Sequence, residues 1–293
     1  LMKGSVIPRY SGLPTVLKEN GYYNLFFMTH EGQYDNMNAF FRTNGYDEVF
    51  SQENYPADKV VNSFGVQDDF LYDYAIPVLN QRAATGEPFF ATLLSISNHP
   101  PYVIPPFFHP KTSEPETQIV EYADWALRKF FEEARKQPWF DNTIFVLEGD
   151  HGKLVGDAEC ELPESYNHIP LMIYSSRIHP EERNTFGGQV DIQPTILGLL
   201  NIDYLQNNFG VDLLKEERPC MFYTADNMIV GRNDTLLYLY NYETQQEFTY
   251  HIDNGKLKAV PMDDLFLPLK EYSFSMLQSA EFLVKHGKTV NSV

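Results

Sequence analysis

Four short apolar runs punctuate the chain, at residues 23–28 (Y-N-L-F-F-M), 89–96 (F-F-A-T-L-L-S-I), 143–148 (T-I-F-V-L-E) and 169–174 (I-P-L-M-I-Y). Four to eight residues with little polar alternation predict strands buried on both faces. Between them, apolar positions recur at helical spacing. Residues 15–20 predict a short helix stopped by Gly21, and residues 36–43 a second one closed by Asn44 and Gly45. Residues 68–81 carry Phe70, Leu71, Tyr74, Val78 and Leu79 at helical spacing, and Glu87-Pro88 breaks the pattern. Residues 116–136 place Ile119, Tyr122, Ala126 and Phe130 on one side before Pro138 ends the helix, and residues 191–200 predict another with an acidic start. Strands alternating with helices of this length predict an α/β fold with a mostly parallel central sheet, right-handed crossovers and helices on both faces.

The texture changes near Asn207. Residues 221–225, 228–232, 236–242 and 247–253 predict short strands separated by turn signals such as Asp253-Asn254-Gly255. Residues 265–286 predict a closing amphipathic helix with Leu269, Tyr272, Met276, Leu277, Ala280 and Leu283 turned inward. The expected organisation is an α/β core over residues 1–206, followed by a small antiparallel sheet with a terminal helix over 207–293. No internal repeat or low-complexity tract interrupts it.

Charge narrows the partners. Forty acidic side chains against 22 basic ones give a net charge of -18 over 293 residues, which disfavours a phosphate-tracking nucleic-acid surface and suits cation binding. No run approaches the ~20 apolar residues that span a bilayer. Leu1 is no initiator methionine and no signal peptide opens the chain, so the sequence reads as an excised domain, with membrane or export segments expected before it. Two cysteines, Cys160 and Cys220, exclude a disulfide framework and leave a single bridge open.

The candidate chemistry lies at the strand ends. The run T-I-F-V-L-E-G-D-H-G brings Asp150 and His151 to the carboxyl end of an apolar strand, between Gly149 and Gly152. Ligand sites of open α/β sheets form just outside such ends. A carboxylate oxygen beside an imidazole nitrogen suits manganese or zinc and tolerates magnesium less well. His99 follows the second apolar run and His168 precedes the fourth. A single histidine in such a place is as well explained by a structural hydrogen bond. Shared placement favours function, with His99 and His151 expected at equivalent ends of neighbouring parallel strands.

Glu148-Gly149-Asp150-His151-Gly152, Ser97-Asn98-His99-Pro100-Pro101-Tyr102, Asn167-His168-Ile169-Pro170-Leu171 and Val190-Asp191-Ile192-Gln193-Pro194-Thr195 occur in the order seen in the sulfatase-like branch of the alkaline phosphatase superfamily. Within it the chain most resembles the extracellular catalytic domains of lipoteichoic acid synthase-like phosphoglycerol transferases. Residues 14–22 (P-T-V-L-K-E-N-G-Y), Thr29-His30-Glu31-Gly32 and Gly45-Tyr46-Asp47 extend the likeness from Gly4 to about Leu214. The resemblance implies that Asp150 and His151 are metal ligands, and that His99 contacts the substrate phosphate. It implies a second substrate-contacting loop at residues 30–37, involving His30, Asp35 and Asn36, with His168 ranked below these. An aromatic and an arginine of that loop in lipoteichoic acid synthases have no obvious counterpart here, which bears on the head group.

The family's acidic metal ligand and threonine or serine nucleophile fall on segments preceding the part that resembles Leu1 onward. Thr29 and Ser97 fit strand-end packing and turn chemistry better than attack on phosphorus. The sulfatase nucleophile pattern, Cys or Ser followed by x-Pro-x-Arg, is absent from the sequence. The resemblance therefore implies a divalent-metal enzyme, manganese first with zinc or magnesium as alternatives. It would move a phosphoglycerol-type group from a lipid-linked donor to a glycan or lipid acceptor outside the cytoplasm, the chain alone being inactive or very weak. A phosphodiesterase or sulfatase on the same scaffold, and a non-catalytic binding module with a decayed site, are the rival expectations.

Overall fold

A computed structural model describes residues 7–154 and 156–290; residues 4–6, where the resemblance begins, lie outside the described residues. The chain divides into two units, Leu1–Thr143 and Ile144–Val293. The first runs α1 (Leu13–Glu19), β1 (Tyr23–Met28), α2 (Met37–Thr43), β2 (Glu48–Phe50), β3 (Val60–Asn62), β4 (Gly65–Val66), α3 (Asp68–Ala83), β5 (Phe89–Leu94) and α4 (Pro115–Ala134). Its sheet has the order β2-β1-β5 and is parallel throughout. As the central strand, β1 is buried on both faces from Asn24 to Met28, which is what its unbroken apolar run predicts. Phe26 stacks on Phe41 of α2 at 3.9 Å and meets Tyr46 edge-on at 5.2 Å, so the second helix is held to the sheet by aromatic packing. On α4, Ile119, Tyr122 and Ala126 are fully buried, and the Tyr122 hydroxyl donates to Asp69 of α3 at 2.6 Å.

The β3–β4 hairpin crosses the carboxyl end of β1. Gly65 adopts φ +90°, and a Cβ there would stand 1.8 Å from the Thr29 carbonyl oxygen. Only glycine permits that approach. The amide of Val66 then donates to the same oxygen at 3.2 Å, tying the hairpin to the strand end that leads into His30.

The second unit holds β6 (Phe145–Glu148), β7 (Leu171–Tyr174), α5 (Ile192–Leu200), β8 (Met221–Ala225), β9 (Met228–Arg232), β10 (Leu236–Asn241), β11 (Gln246–Asp253), β12 (Lys256–Ala259) and α6 (Leu267–Lys285). The last five strands form an antiparallel sheet of order β12-β11-β10-β9-β8. One face packs Val230, Leu237, Leu239 and Tyr250 on Leu162; the other packs Leu236 and Tyr238 on Phe266 and on Leu269 of α6. Mixed α/β with a parallel sheet, a C-terminal antiparallel sheet and a closing helix is the class the periodicity predicts.

Two local expectations change. The ladder between β6 and β7 is antiparallel, with Glu148 opposite Leu171, although both runs have the unbroken apolar character of parallel strands. Neither strand is buried on both faces, with Val146, Leu171, Met172 and Tyr174 exposed. Asp191, the expected acidic helix start, is the N-cap residue of α5; it also closes a 3-10 turn (Gln189–Asp191) and is completely buried. Its carboxylate accepts from the amides of Gly188 and Val211, both at 2.8 Å, and from Arg218 Nε at 2.8 Å. Cys160 and Cys220 are both free thiols, which closes the question of a bridge between them.

Candidate active site

In the first unit, Met28 of β1 is paired with Leu94 of β5 in a parallel ladder, so both strands deliver the chain to one edge of the sheet. His30 follows two residues beyond that edge and His99 five beyond. The histidine at the end of the strand paired in parallel with β5 is therefore His30, where the sequence suggested His151.

His30 is 3% exposed and its ring lies 4.8 Å from Tyr34. Its Nδ1 lies 3.0 Å from the Glu31 carbonyl oxygen. A carbonyl can only accept, so Nδ1 is the donor in this contact and the second ring nitrogen, Nε2, is not used by it. The surrounding loop is clamped by Glu53, whose carboxylate accepts from Gly32 N at 3.2 Å and from Ser51 Oγ at 2.6 Å. Desolvation works against the Glu53 charge. The Ser51 hydroxyl, the Glu53 and Gly32 amides and the nearby His30 outweigh it and hold this carboxyl below the usual glutamate range. The clamp therefore contributes stability above the ordinary glutamate pKa, lost as pH falls through the lower folded value. Glu53→Gln should lower the thermal midpoint near neutrality, the difference from the unsubstituted chain closing on acidification; a pH series of melting curves checks this.

His99 is exposed, and its Nδ1 is 2.7 Å from the Pro100 carbonyl oxygen. Its amide donates to Ile96 O at 2.8 Å, and the Phe64 ring from the β3–β4 hairpin lies 4.2 Å away. Asp35 and Asn36 both take left-handed backbone, at φ 48° and 62°, so these two form the turn into α2. Short polar side chains tolerate that conformation best, which gives their presence a local reason.

In the second unit, the antiparallel pairing of β6 and β7 puts the loop leaving β6, with Asp150 and His151, at the same edge as the segment entering β7, with His168. Gly152 N donates to Tyr166 O at 2.8 Å, and a Cβ on Gly152 would come within 2.0 Å of Ser165 O. The Gln189 side-chain amide donates to the carbonyls of Gly149 at 3.2 Å and Asp150 at 3.0 Å. His151 Nδ1 lies 2.8 Å from Gly152 O, which again leaves Nε2 as the free nitrogen, 3.7 Å from Asp150 Oδ2. Both side chains are exposed, at 69% for His151 and 76% for Asp150. One carboxylate oxygen and one oriented imidazole nitrogen, close enough to share an ion, fit two positions of a metal's ligand set. Among the described residues, no group of three or more His, Cys, Asp or Glu side chains is arranged to hold a metal. His168, exposed, donates its amide to Glu164 O at 2.8 Å.

His30, His99 and His151 thus share one local device, a ring Nδ1 held by the carbonyl of the following residue. Sequence reasoning did not single out Glu53, Phe64 or Gln189. Gln189 adjoins the Val190-Asp191 motif and was findable from it, whereas Glu53 and Phe64 reach their places only through tertiary packing. Glu148, quoted only as part of a motif, has its carboxyl raised above the ordinary range by desolvation and by repulsion from Asp150. Thr29 is fully buried, and Ser97, 8% exposed, donates its hydroxyl to Gln67 Oε1 at 2.9 Å. Ser97 is thus tied into a structural hydrogen bond, whereas the Thr29 hydroxyl is buried with no hydrogen-bond partner among the described residues.

Comparison with known proteins gives the family. The model of the Sulfatase family matches residues 4–202. Lipoteichoic acid synthase 1 of Bacillus subtilis is 26% identical over 274 residues, covering 85% of this chain and 41% of the relative. Lipoteichoic acid synthase of Staphylococcus aureus is 24% identical, covering 71% and 35%. The chain thus spans about two fifths or less of the curated relatives it matches. Among solved structures, an alkaline phosphatase superfamily protein from Vibrio parahaemolyticus superposes with TM-score 0.82 at 25% identity, over 96% of this chain and 70% of that one. The lipoteichoic acid synthase LtaP from Listeria monocytogenes shares the fold at TM-score 0.82 and 20% identity, over 99% and 76%. With the family model covering more than half of its length, the chain belongs to the sulfatase family, in the sulfatase-like branch of the alkaline phosphatase superfamily, and resembles the lipoteichoic acid synthases.

Proposed function

We propose that this chain is part of a metal-dependent enzyme that transfers a phosphoglycerol-type group from a lipid-linked donor to a glycan or lipid acceptor on the outer side of a membrane. The observation that carries the reading is the Asp150–His151 pair, with the Nε2 of His151 freed by the Gly152 carbonyl and aimed within 3.7 Å of the Asp150 carboxylate. Its likeness to lipoteichoic acid synthases supplies the substrate class. Among the described residues no helix is long and apolar enough to cross a membrane.

Asp150 and His151 would hold the divalent ion, manganese in the first instance. When bound, such an ion neutralises charge on phosphoryl oxygens and lowers the pKa of a coordinated hydroxyl. His99 would contact a non-bridging phosphate oxygen or pass a proton to the departing alcohol through Nε2, the nitrogen its Pro100 contact leaves free. His30, with Nε2 likewise free, would contribute to the alcohol side together with the turn at Asp35 and Asn36, and His168 would play a lesser part. Gln189 and the Gly152–Tyr166 bond hold the backbone that carries the metal ligands. Thr29 and Ser97 are both buried, and we propose that the chain alone turns over far more slowly than an intact lipoteichoic acid synthase.

The test is a product assay with a glycerophosphate-headgroup lipid and Mn²⁺, with and without a polyol acceptor. Turnover should be far below that of an intact synthase run in parallel, and any product should depend on the acceptor. Turnover comparable to the intact enzyme contradicts the slow-turnover expectation. Release of free glycerol phosphate regardless of acceptor replaces transfer by hydrolysis.

A further inference from the structure

The loop that carries His99 is fastened at both feet by two residues that neither the metal nor the substrate reading uses. Where the chain leaves β5, the amides of Ile96 and Ser97 both donate to Asp68 Oδ1 at 3.0 Å. The Asp68 amide donates in return to Ser97 Oγ at 3.0 Å, and Ser97 Oγ donates to Gln67 Oε1 at 2.9 Å. Where the loop comes back, the Gln67 side-chain amide donates to the Val103 carbonyl at 2.9 Å. Gln67 and Asp68 are consecutive at the start of α3, so one rigid helix end grips both sides of a short excursion with His99 near its tip. Asp68 is 2% exposed, and Gln67 and Ser97 are also buried. A carboxylate buried this deeply is costly unless its bonds serve something. Backbone amides are what it serves.

We propose that Asp68, with Gln67, is the positioning residue for His99: the clamp fixes the feet of the loop so that the ring is held against Phe64 with Nε2 presented. The proposal rests on the reading of His99 as the phosphate contact. Asp68 touches no substrate and acts only through the backbone of Ile96 and Ser97. Both amides converge on the single oxygen Oδ1, so the clamp needs a carbonyl-type acceptor at that place. Asparagine, which keeps a carbonyl oxygen in the same place, should therefore work nearly as well. The other histidine of the same sheet edge, His30, is held by Glu31 and the Glu53 loop and serves as an internal control.

The experiment is histidine-selective NMR on the whole chain, with the His99 ring signals assigned by H99A. The Phe64 ring at 4.2 Å gives those signals a ring-current displacement that reports position. Asp68→Ala should move the His99 signals toward those of a denatured-chain histidine, Asp68→Asn should hold them, and Gln67→Ala, which frees only the Val103 foot, should fall between. The His30 signals should stay in place throughout. His99 signals unmoved in Asp68→Ala overturn the proposal, as do equal losses in Asp68→Ala and Asp68→Asn, or His30 moving as far as His99. If Asp68→Ala does not fold, Gln67→Ala decides, and unmoved His99 signals in that variant overturn it. Titrating the samples with glycerol phosphate separates the two readings. Binding unaffected by H99A sinks the phosphate role of His99 while leaving the clamp to stand or fall on the ring signals.

Discussion

His151→Ala is expected to weaken Mn²⁺ binding by at least about a hundredfold, roughly 2.7 kcal/mol, with the thermal midpoint little changed. In the proposed site the imidazole would be one of two donors to the ion, and alanine would leave the Asp150 carboxylate alone. Stability holds because the ring is mostly exposed and its internal bond, to Gly152 O, forms on a loop that Gly152 N and Gln189 fasten independently. Asp150→Ala should cost at least as much, since an ionised oxygen donor is lost. His168→Ala should have a clearly smaller effect. Calorimetric titration with Mn²⁺ across the three variants checks this; equal losses in all of them would assign the ion to a diffuse acidic surface, which a chain of net charge -18 also offers.

The largest loss of stability is expected at Asp191. Its carboxylate is fully buried and holds Arg218, itself 9% exposed, besides two backbone amides. Removing the acid leaves a buried guanidinium without its counter-charge and two amides without acceptors, a change that costs about 3–5 kcal/mol. Asp191→Ala should therefore unfold the second unit well before the first in a denaturant series followed by hydrogen exchange. Pairing it with Arg218→Met should recover part of the loss, because the stranded charge goes with its partner. Gln189 lies in the same 3-10 turn as Asp191 and bonds the carbonyls of Gly149 and Asp150, so the damage should also reach the metal loop. A double variant no more stable than Asp191→Ala would mean that the two amides, and not the ion pair, dominate.

What the sequence disclosed depended on how local the cause was. The run at β1 needs only its own apolar character, and the strand forms over the same residues. α4 follows from a long, clean 3.6-residue period. By contrast β2, β3 and β4, two or three residues each, are too short to show a period, although the β3–β4 hairpin supplies Phe64 beside His99. β12 reads Lys-Leu-Lys-Ala, a charged edge strand with little apolar signal. The direction of the β6–β7 ladder is set by which strands meet, and an unbroken apolar run carries no information about that. Asp68 sits within a legible helix, but its role comes from a strand end 28 and 29 residues further along the chain.

The site shows the same division. Motif order brought out Asp150, His151, His99, His30 and His168, and the parallel ladder of β1 and β5 gives His30 and His99 a common sheet edge. The free nitrogen of each ring could not be read from residue type, because it depends on the backbone turn that presents a carbonyl to Nδ1. The Glu53, Gln189 and Asp68 clamps are likewise products of packing.

The most direct test of the proposed phosphoryl-transfer chemistry is the ³¹P relaxation of glycerol phosphate in the presence of the Mn²⁺-loaded chain. The account predicts strong paramagnetic enhancement from protein-bound Mn²⁺, abolished in His151→Ala because the ion is lost. Enhancement that survives that substitution, or none in the unsubstituted chain at saturating Mn²⁺, would contradict it.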